Sequence, residues 1–449
     1  MPGMNELSAS DLKSVLLAKL KESLTEPIPE GTPRRLHGAA SLPGKVSSVV
    51  GVRRSGKTTF VHQERREQLA AGAAREHVPY VNFEDERLSE MTAAQLGLLL
   101  EEYGRLFPEA RERARVLWSF DEIQLVKGWE RFVRRLLDEG RNDILVTGSS
   151  AALLSREIAT ALRGRAWEVP IYPFSFAEAL LFQGRPIPAR PGFLGGAERG
   201  RIERAFLDWL STGGFPEVQK LDAASREKML SDYVDVAMLR DVMERHGVGN
   251  VVGLRWMVRQ LLGNAGALFS VEKFHAALKS QGVAIARDTV HQLLAWLEDC
   301  FLVRPVWMES ASERQRMVNP RKCYPVDTAL IALFDRTGRA NTGHALETAV
   351  LVELQRRQLA VTYVKTPEGH EVDFLARGAG GQADLIQVCA DATDPATAER
   401  ELRALVEAGR IHPKAKKRLL TLTSDGRPAE VPRGVEVQPA YEWMLSAPD

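Results

Sequence analysis

The chain has 449 residues, 44% of them hydrophobic and 27% charged, which at roughly 100–200 residues per domain predicts about three globular domains with sizeable cores. Sixty Lys and Arg balance 59 Asp and Glu to a net charge of +1, so a bulk electrostatic grip on nucleic acid or membrane is not expected, only local basic faces. Cys300, Cys323 and Cys389 are too scattered for a disulfide framework or a zinc site and fit a reducing compartment.

Residues 1–40 read as a helical segment with acidic residues and no long apolar core, unlike a secretion signal. No window holds about 18 consecutive apolar residues, so no membrane span is expected and the protein is assigned to the cytoplasm. KVSSVV, Lys45 to Val50, is a β-branched run that predicts a buried strand. GVRRSGKT follows, matching G-x-x-x-x-G-K-[ST] at every fixed position, and TTFVHQERREQLAAGA then opens a helix. Strand, glycine loop and helix N-terminus together make a cradle for phosphates. ATP with Mg²⁺ is the expected ligand. Gly51, Arg53, Arg54, Ser55, Gly56, Lys57, Thr58 and Thr59 are its expected contacts, with Lys57 on the β- and γ-phosphates and Thr58 on the metal.

HVPYVNFED predicts a strand ending in Glu84 and Asp85, a polar loop at the same rim. RVLWSFDEIQ predicts a strand ending in Asp121 and Glu122. Acids at the carboxyl end of a parallel strand lie beside the phosphate loop. Asp121 is expected to hold Mg²⁺ through water and Glu122 to polarise the attacking water. DILVTGSS predicts a further strand, ending in Thr147, Ser149 and Ser150. Ser149 suits a γ-phosphate sensor, and it equally suits the N-cap of the helix SSAALLSREIATAL. Four strands alternating with helices predict a parallel α/β sheet over residues 41–175.

GVRRSGKTT, FDEIQ with GWERFVRRLLDEG, TGSSAALLSREIATALRGR and IYPFSFAEAL together resemble a large group of prokaryotic AAA/STAND-type ATPases that carry a winged helix and a C-terminal domain of unknown function. The resemblance runs from about residue 34 onward. It implies a homo-oligomer, with a ring as one form, in which Arg163 or Arg165 of LRGR acts as an arginine finger or nucleotide sensor. Two surface arginines past a helix end are the plainer reading. It also implies that residues 176–250, which include the turn STGGFPEV and two helical pieces, form a helical lid.

Residues 251–338 have the rhythm of a winged helix. LRWMVRQLLGNAG is amphipathic, Ser270 caps FSVEKFHAALKSQG, the turn SQGVAIA leads to TVHQLLAWLEDC, and FLVRPVWM and RKCYPV read as wing strands around the loop MESASERQR. In a DNA-reading version Arg287, Thr289, His291 and Gln292 approach a groove while Arg314 and Arg316 lie on the backbone. Asp288, Glu298 and Asp299 on the same helix favour a packing module instead.

Residues 339–449 read as helix GHALETAVLVELQRR, strands VTYVK, HEVDFLAR and DLIQVCAD, helix ATAERELRALVEAG and strand RLLTLT. The order resembles the PD-(D/E)XK nuclease fold, an α/β restriction-endonuclease-like domain. Glu347, Asp373 and Gln387 fall on that fold's acid positions, but the lysine position holds Cys389. A neutral thiol does not replace an ammonium, so a vestigial site is expected, with Lys365 on a neighbouring strand as a weak substitute. Three functions follow: an oligomeric DNA-associated ATP hydrolase, an ATP-dependent switch acting on a protein partner, and an ATP-gated metal-dependent nuclease.

Overall fold

A computed structural model describes residues 9–148, 162, 164–335 and 341–446. Packing divides the chain into two compact units, Met1–Ile171 and Tyr172–Asp449.

The first unit is built on a parallel sheet. Among the described residues its strands are β1 (Val46–Val50), β2 (Tyr80–Asn82), β3 (Val116–Asp121), β4 (Asn142–Thr147) and β5 (Ala166–Pro170), in the order β2-β3-β4-β1-β5. Every pairing is parallel. β1 and β3 are buried along their whole length, as expected for strands covered on both faces. β5 adds an edge strand that the sequence pattern did not suggest, because AWEVP is short and ends in proline. β4 lies between β1 and β3, so the end of β4 stands between the loop after β1 and the acids after β3. Helix Lys57–Ala70 follows that loop, and Phe60 and Val61 anchor it on Val49, Leu117, Leu145 and Val169. Helix Ala9–Thr25 buries Leu12, Leu16 and Leu20.

The second unit carries one continuous mixed sheet. Its strands are β6 (Leu268–Phe269), β7 (Val303–Met308), β8 (Arg321–Pro325), β9 (Ala360–Lys365), β10 (Glu371–Arg377), β11 (Ala383–Val388), β12 (Lys416–Thr421) and β13 (Val435–Pro439), in the order β13-β12-β11-β10-β9-β7-β8-β6. The expected wing strands form the antiparallel pair β7–β8. β7 also pairs in parallel with β9, Trp307 opposite Thr362 and Met308 opposite Tyr363. The segments expected as separate domains at 251–338 and 339–449 therefore share a sheet.

Helices expected in a lid also join this unit. Phe176, Ile202, Phe206, Trp209 and Leu210, from helices Phe176–Phe182 and Gly196–Thr212, lie in one core with Leu346, Val350, Leu354 and Tyr441. Their apolar faces find cover on the C-terminal helices. Asp327, in the turn after β8, accepts a hydrogen bond from the Gly214 amide of STGGFPEV at 2.6 Å. The expected wing loop contains a short helix, Glu313–Val318, which Ser312 caps by accepting from the Gln315 amide. A serine three residues before a donor amide is a helix start rather than an open loop.

Candidate functional site

The loop after β1 curls as its glycines allow. Gly56 has φ 96° and Gly51 φ 149°, and a Cβ at Gly51 would run into the Ile171 carbonyl oxygen, so the chain there requires glycine. Arg54 also takes a left-handed φ of 68° and is exposed, whereas Arg53 and Thr59 are half-buried. Lys57 is buried, and its Nζ donates to the carbonyl oxygens of Gly51 (3.1 Å) and Val52 (3.2 Å). The Ser55 hydroxyl is buried with no hydrogen-bond partner.

β3 delivers Asp121 to the same place. The Thr58 hydroxyl donates to Asp121 Oδ2 at 2.8 Å, which brings the two expected metal-holding residues together across 63 positions of sequence. The Tyr80 hydroxyl, from β2, donates to the same oxygen at 2.8 Å. The Thr147 hydroxyl, at the end of β4, donates to Asp121 Oδ1 and accepts from the Glu122 amide at 3.0 Å. Thr147 thus fixes both acids, a role that follows from the position of β4 between β1 and β3. Glu122 has a left-handed φ of 54°, and its carboxylate accepts from the Gln124 amide. Burial pushes the Glu122 carboxyl above the usual glutamate range, against the pull of Lys57. A strained residue with a raised pKa beside a phosphate loop suits a base.

Sequence reasoning missed Tyr80 and Arg34. A tyrosine in YVN carries no pattern that marks it, since aromatics are common strand residues. Its phenol is held well above its ordinary range by burial first and then by the Asp121 charge, so it remains a donor. Arg34 is buried, and its Nη1 donates to the Ser55 carbonyl oxygen at 2.8 Å, bracing the loop from behind.

Other expected residues lie elsewhere. Ser149 and Arg163 fall outside the described residues. Arg165 pairs with Asp138, so an exposed ion pair engages it within this chain. Asp85 caps the turn Glu86–Leu88 and binds Lys19 and Arg87, which makes it structural. In the second unit Arg287, His291 and Gln292 are exposed and Thr289 half-buried on one helix, Arg287–Asp299. Arg287 is paired with Glu272 at 3.3 Å. Arg314 is exposed, while Arg316 pairs with Glu313 and lies over the Trp307 ring.

Two of the expected nuclease-like positions, Glu347 and Asp373, gather around a residue that the sequence did not single out. Lys322, on β8, reaches Glu347 from helix Thr342–Arg356 and both Glu371 and Asp373 from β10. Gln387 Nε2 donates to Glu401 at 2.6 Å and its Oε1 accepts from the Asp373 amide at 3.3 Å. Cys389 is half-buried, its thiol pushed up to about 11 by burial and then by Glu401, and its Sγ lies 3.2 Å from the Asp391 carbonyl oxygen. Lys365 is exposed on β9.

The signature of the AAA domain family matches residues 43–180, and that of a domain of unknown function matches residues 203–340. The chain is similar to the uncharacterized protein MJ1544 of Methanocaldococcus jannaschii, with 32% identity over 372 residues, 82% of this chain and 79% of that one. An uncharacterized protein of Haemophilus influenzae is 32% identical over 335 residues, 74% of this chain and 80% of that one. Among solved structures, the Walker-type ATPase PABY2304 of Pyrococcus abyssi aligns with a TM-score of 0.40 and 14% identity, covering 72% of this chain and 95% of that one. The Aeropyrum pernix ORC1 protein in complex with DNA aligns with a TM-score of 0.27 and 13% identity, covering 72% and 91%.

Proposed function

The chain belongs to the family of the Methanocaldococcus jannaschii and Haemophilus influenzae proteins and carries an AAA-type P-loop ATPase domain; on that premise we propose that it is a Mg²⁺-dependent ATP hydrolase, oligomeric and associated with DNA. The observation that carries the ATPase reading is the meeting of Thr58 and Asp121 at 2.8 Å beside Lys57 and Glu122.

The donor set fits the metal. One carboxylate and a hydroxyl, with phosphate oxygens and water completing the shell, is the all-oxygen arrangement that Mg²⁺ prefers. Thr58 and Asp121 would hold it, and bound there it would neutralise charge on the β- and γ-phosphates. Lys57 exchanges its two carbonyl partners for phosphate oxygens. Glu122 accepts a hydrogen bond from the attacking water and orients it, with its carboxylate steadied by Gln124. Thr147 holds Glu122 and Asp121 in fixed relation while this happens.

For DNA association, the support is the exposed face of Arg287, His291 and Gln292 on the second helix of a helix-turn-helix pair, read as part of a winged helix. The pairing of Arg287 with Glu272 favours the alternative, a nucleotide-driven switch acting on a protein partner. ATP turnover by wild type and Lys57→Ala, with and without duplex, single-stranded and branched DNA, tests both. Turnover equal in the two proteins would overturn the hydrolase. Turnover that needs Lys57 and is indifferent to every DNA would replace the DNA reading with the partner switch.

A further inference from the structure

Metal-dependent phosphodiesterases of the fold that residues 339–449 resemble place two or more carboxylates around a divalent cation and use a lysine to orient water. The three oxygen acceptors here surround a lysine instead. Lys322 Nζ lies 2.8 Å from Glu371 Oε1, 2.9 Å from Asp373 Oδ1 and 3.1 Å from Glu347 Oε1. Its side chain is 5% exposed. An ammonium has three N–H donors and no acceptor, so three carboxylates use all of them and none remains to hold a water.

Two of the acids take further donors. Asp373 Oδ2 accepts from the Val388 amide at 3.0 Å, and Glu347 Oε1 also accepts from the Tyr324 hydroxyl at 2.6 Å. Gln387, at the third acid position, spends its oxygen on the Asp373 amide and its nitrogen on Glu401. The residues present therefore do not fit the cation that the fold resemblance implies.

We infer that Lys322 is a built-in substitute for that cation, and that the cluster of Glu347, Glu371 and Asp373 is a metal-free lock tying the β7–β8 hairpin to the C-terminal sheet. The lysine stands 25 residues before Glu347 and 51 before Asp373, so the charge that neutralises the acids comes from outside the segment that supplies them. Burial works against the ammonium, but the charges of Asp373, Glu347 and Glu371 outweigh it and raise its pKa. Burial, and then Asp373, push the Glu347 carboxyl up, which eases the crowding of three acids around one cation. A paired cation without a free donor neither binds a second cation in its place nor activates water.

The inference is independent of ATP, and its test uses none. Full-length protein is titrated with Mn²⁺ in the absence of nucleotide, with free ion counted by electron paramagnetic resonance. Wild type, Asp373→Asn and Glu347→Gln are expected to bind the same amount, because none of their Mn²⁺ sits at the cluster. Lys322→Met empties the site and is expected to take up an additional Mn²⁺ per chain, lost again in Lys322→Met combined with Asp373→Asn. Wild-type binding that drops in Asp373→Asn or Glu347→Gln would overturn the inference, and so would a folded Lys322→Met that binds nothing extra. If Lys322→Met does not fold, the wild-type comparison with the two acid variants still decides.

Discussion

Each of the two units has an acid centre on a strand, and the two manage their charge in opposite ways. Asp121 is 2% exposed and is met by three neutral hydroxyls, those of Thr58, Thr147 and Tyr80. Asp373 is 7% exposed and is met by the ammonium of Lys322 and a backbone amide. Hydroxyls solvate a carboxylate without cancelling its charge, so the first centre keeps an attraction for an incoming cation. An ammonium cancels it, and the second centre has no comparable demand. On the functions proposed above, the contrast separates a centre for turnover from one for cohesion, although both are built on an acid carried by a strand.

The largest effect that would break this contrast is at the phosphate loop. Lys57→Ala is expected to lower ATP turnover by about 10³-fold, the scale of losing a preorganised charge on a developing anion; steady-state phosphate release checks it. Glu122→Gln should cost about 10²–10³-fold in kcat while leaving ATP binding intact. Because burial raises the Glu122 carboxyl and the base acts ionised, wild-type kcat should fall with decreasing pH through a point above the ordinary glutamate range. The Glu122→Gln profile should lose that acid limb.

At the other centre, Asp373→Ala leaves Lys322 short of a buried partner and should destabilise the protein by about 3 kcal/mol, read from denaturant unfolding. Chelation with EDTA sharpens the comparison further: it should stop turnover and leave the unfolding midpoint of nucleotide-free protein unchanged. The smallest effect is expected from Tyr80→Phe. Loss of one hydrogen bond to the Asp121 carboxylate costs about 1.5 kcal/mol, which should appear as a roughly tenfold rise in the Mg²⁺ concentration that half-saturates turnover.

The sequence by itself determined the phosphate loop, because glycine spacing, a lysine and a hydroxyl form a local device whose parts are contiguous from Gly51 to Thr58. It determined most strands as well: KVSSVV, VLWSFD and DILVT are apolar or β-branched runs that only a buried strand accommodates. β5 and β13 escaped notice, being short edge strands that end in proline.

Tertiary structure decided whatever depended on strand order and on distant partners. That β4 lies between β1 and β3 placed Thr147 on both acids, and no local pattern encodes the order of strands. That β7 pairs with β9 merged the expected winged helix with the C-terminal sheet. Lys322 shows the reason most plainly. In RKCYPV it looks like any polar residue of a strand, and the vacancy left by Cys389 suggested that the acids lacked a cation. Electrostatic compensation depends on distance in space, which chain separation does not report, and a strand outside the motif brought the missing charge within 3.1 Å of three carboxylates.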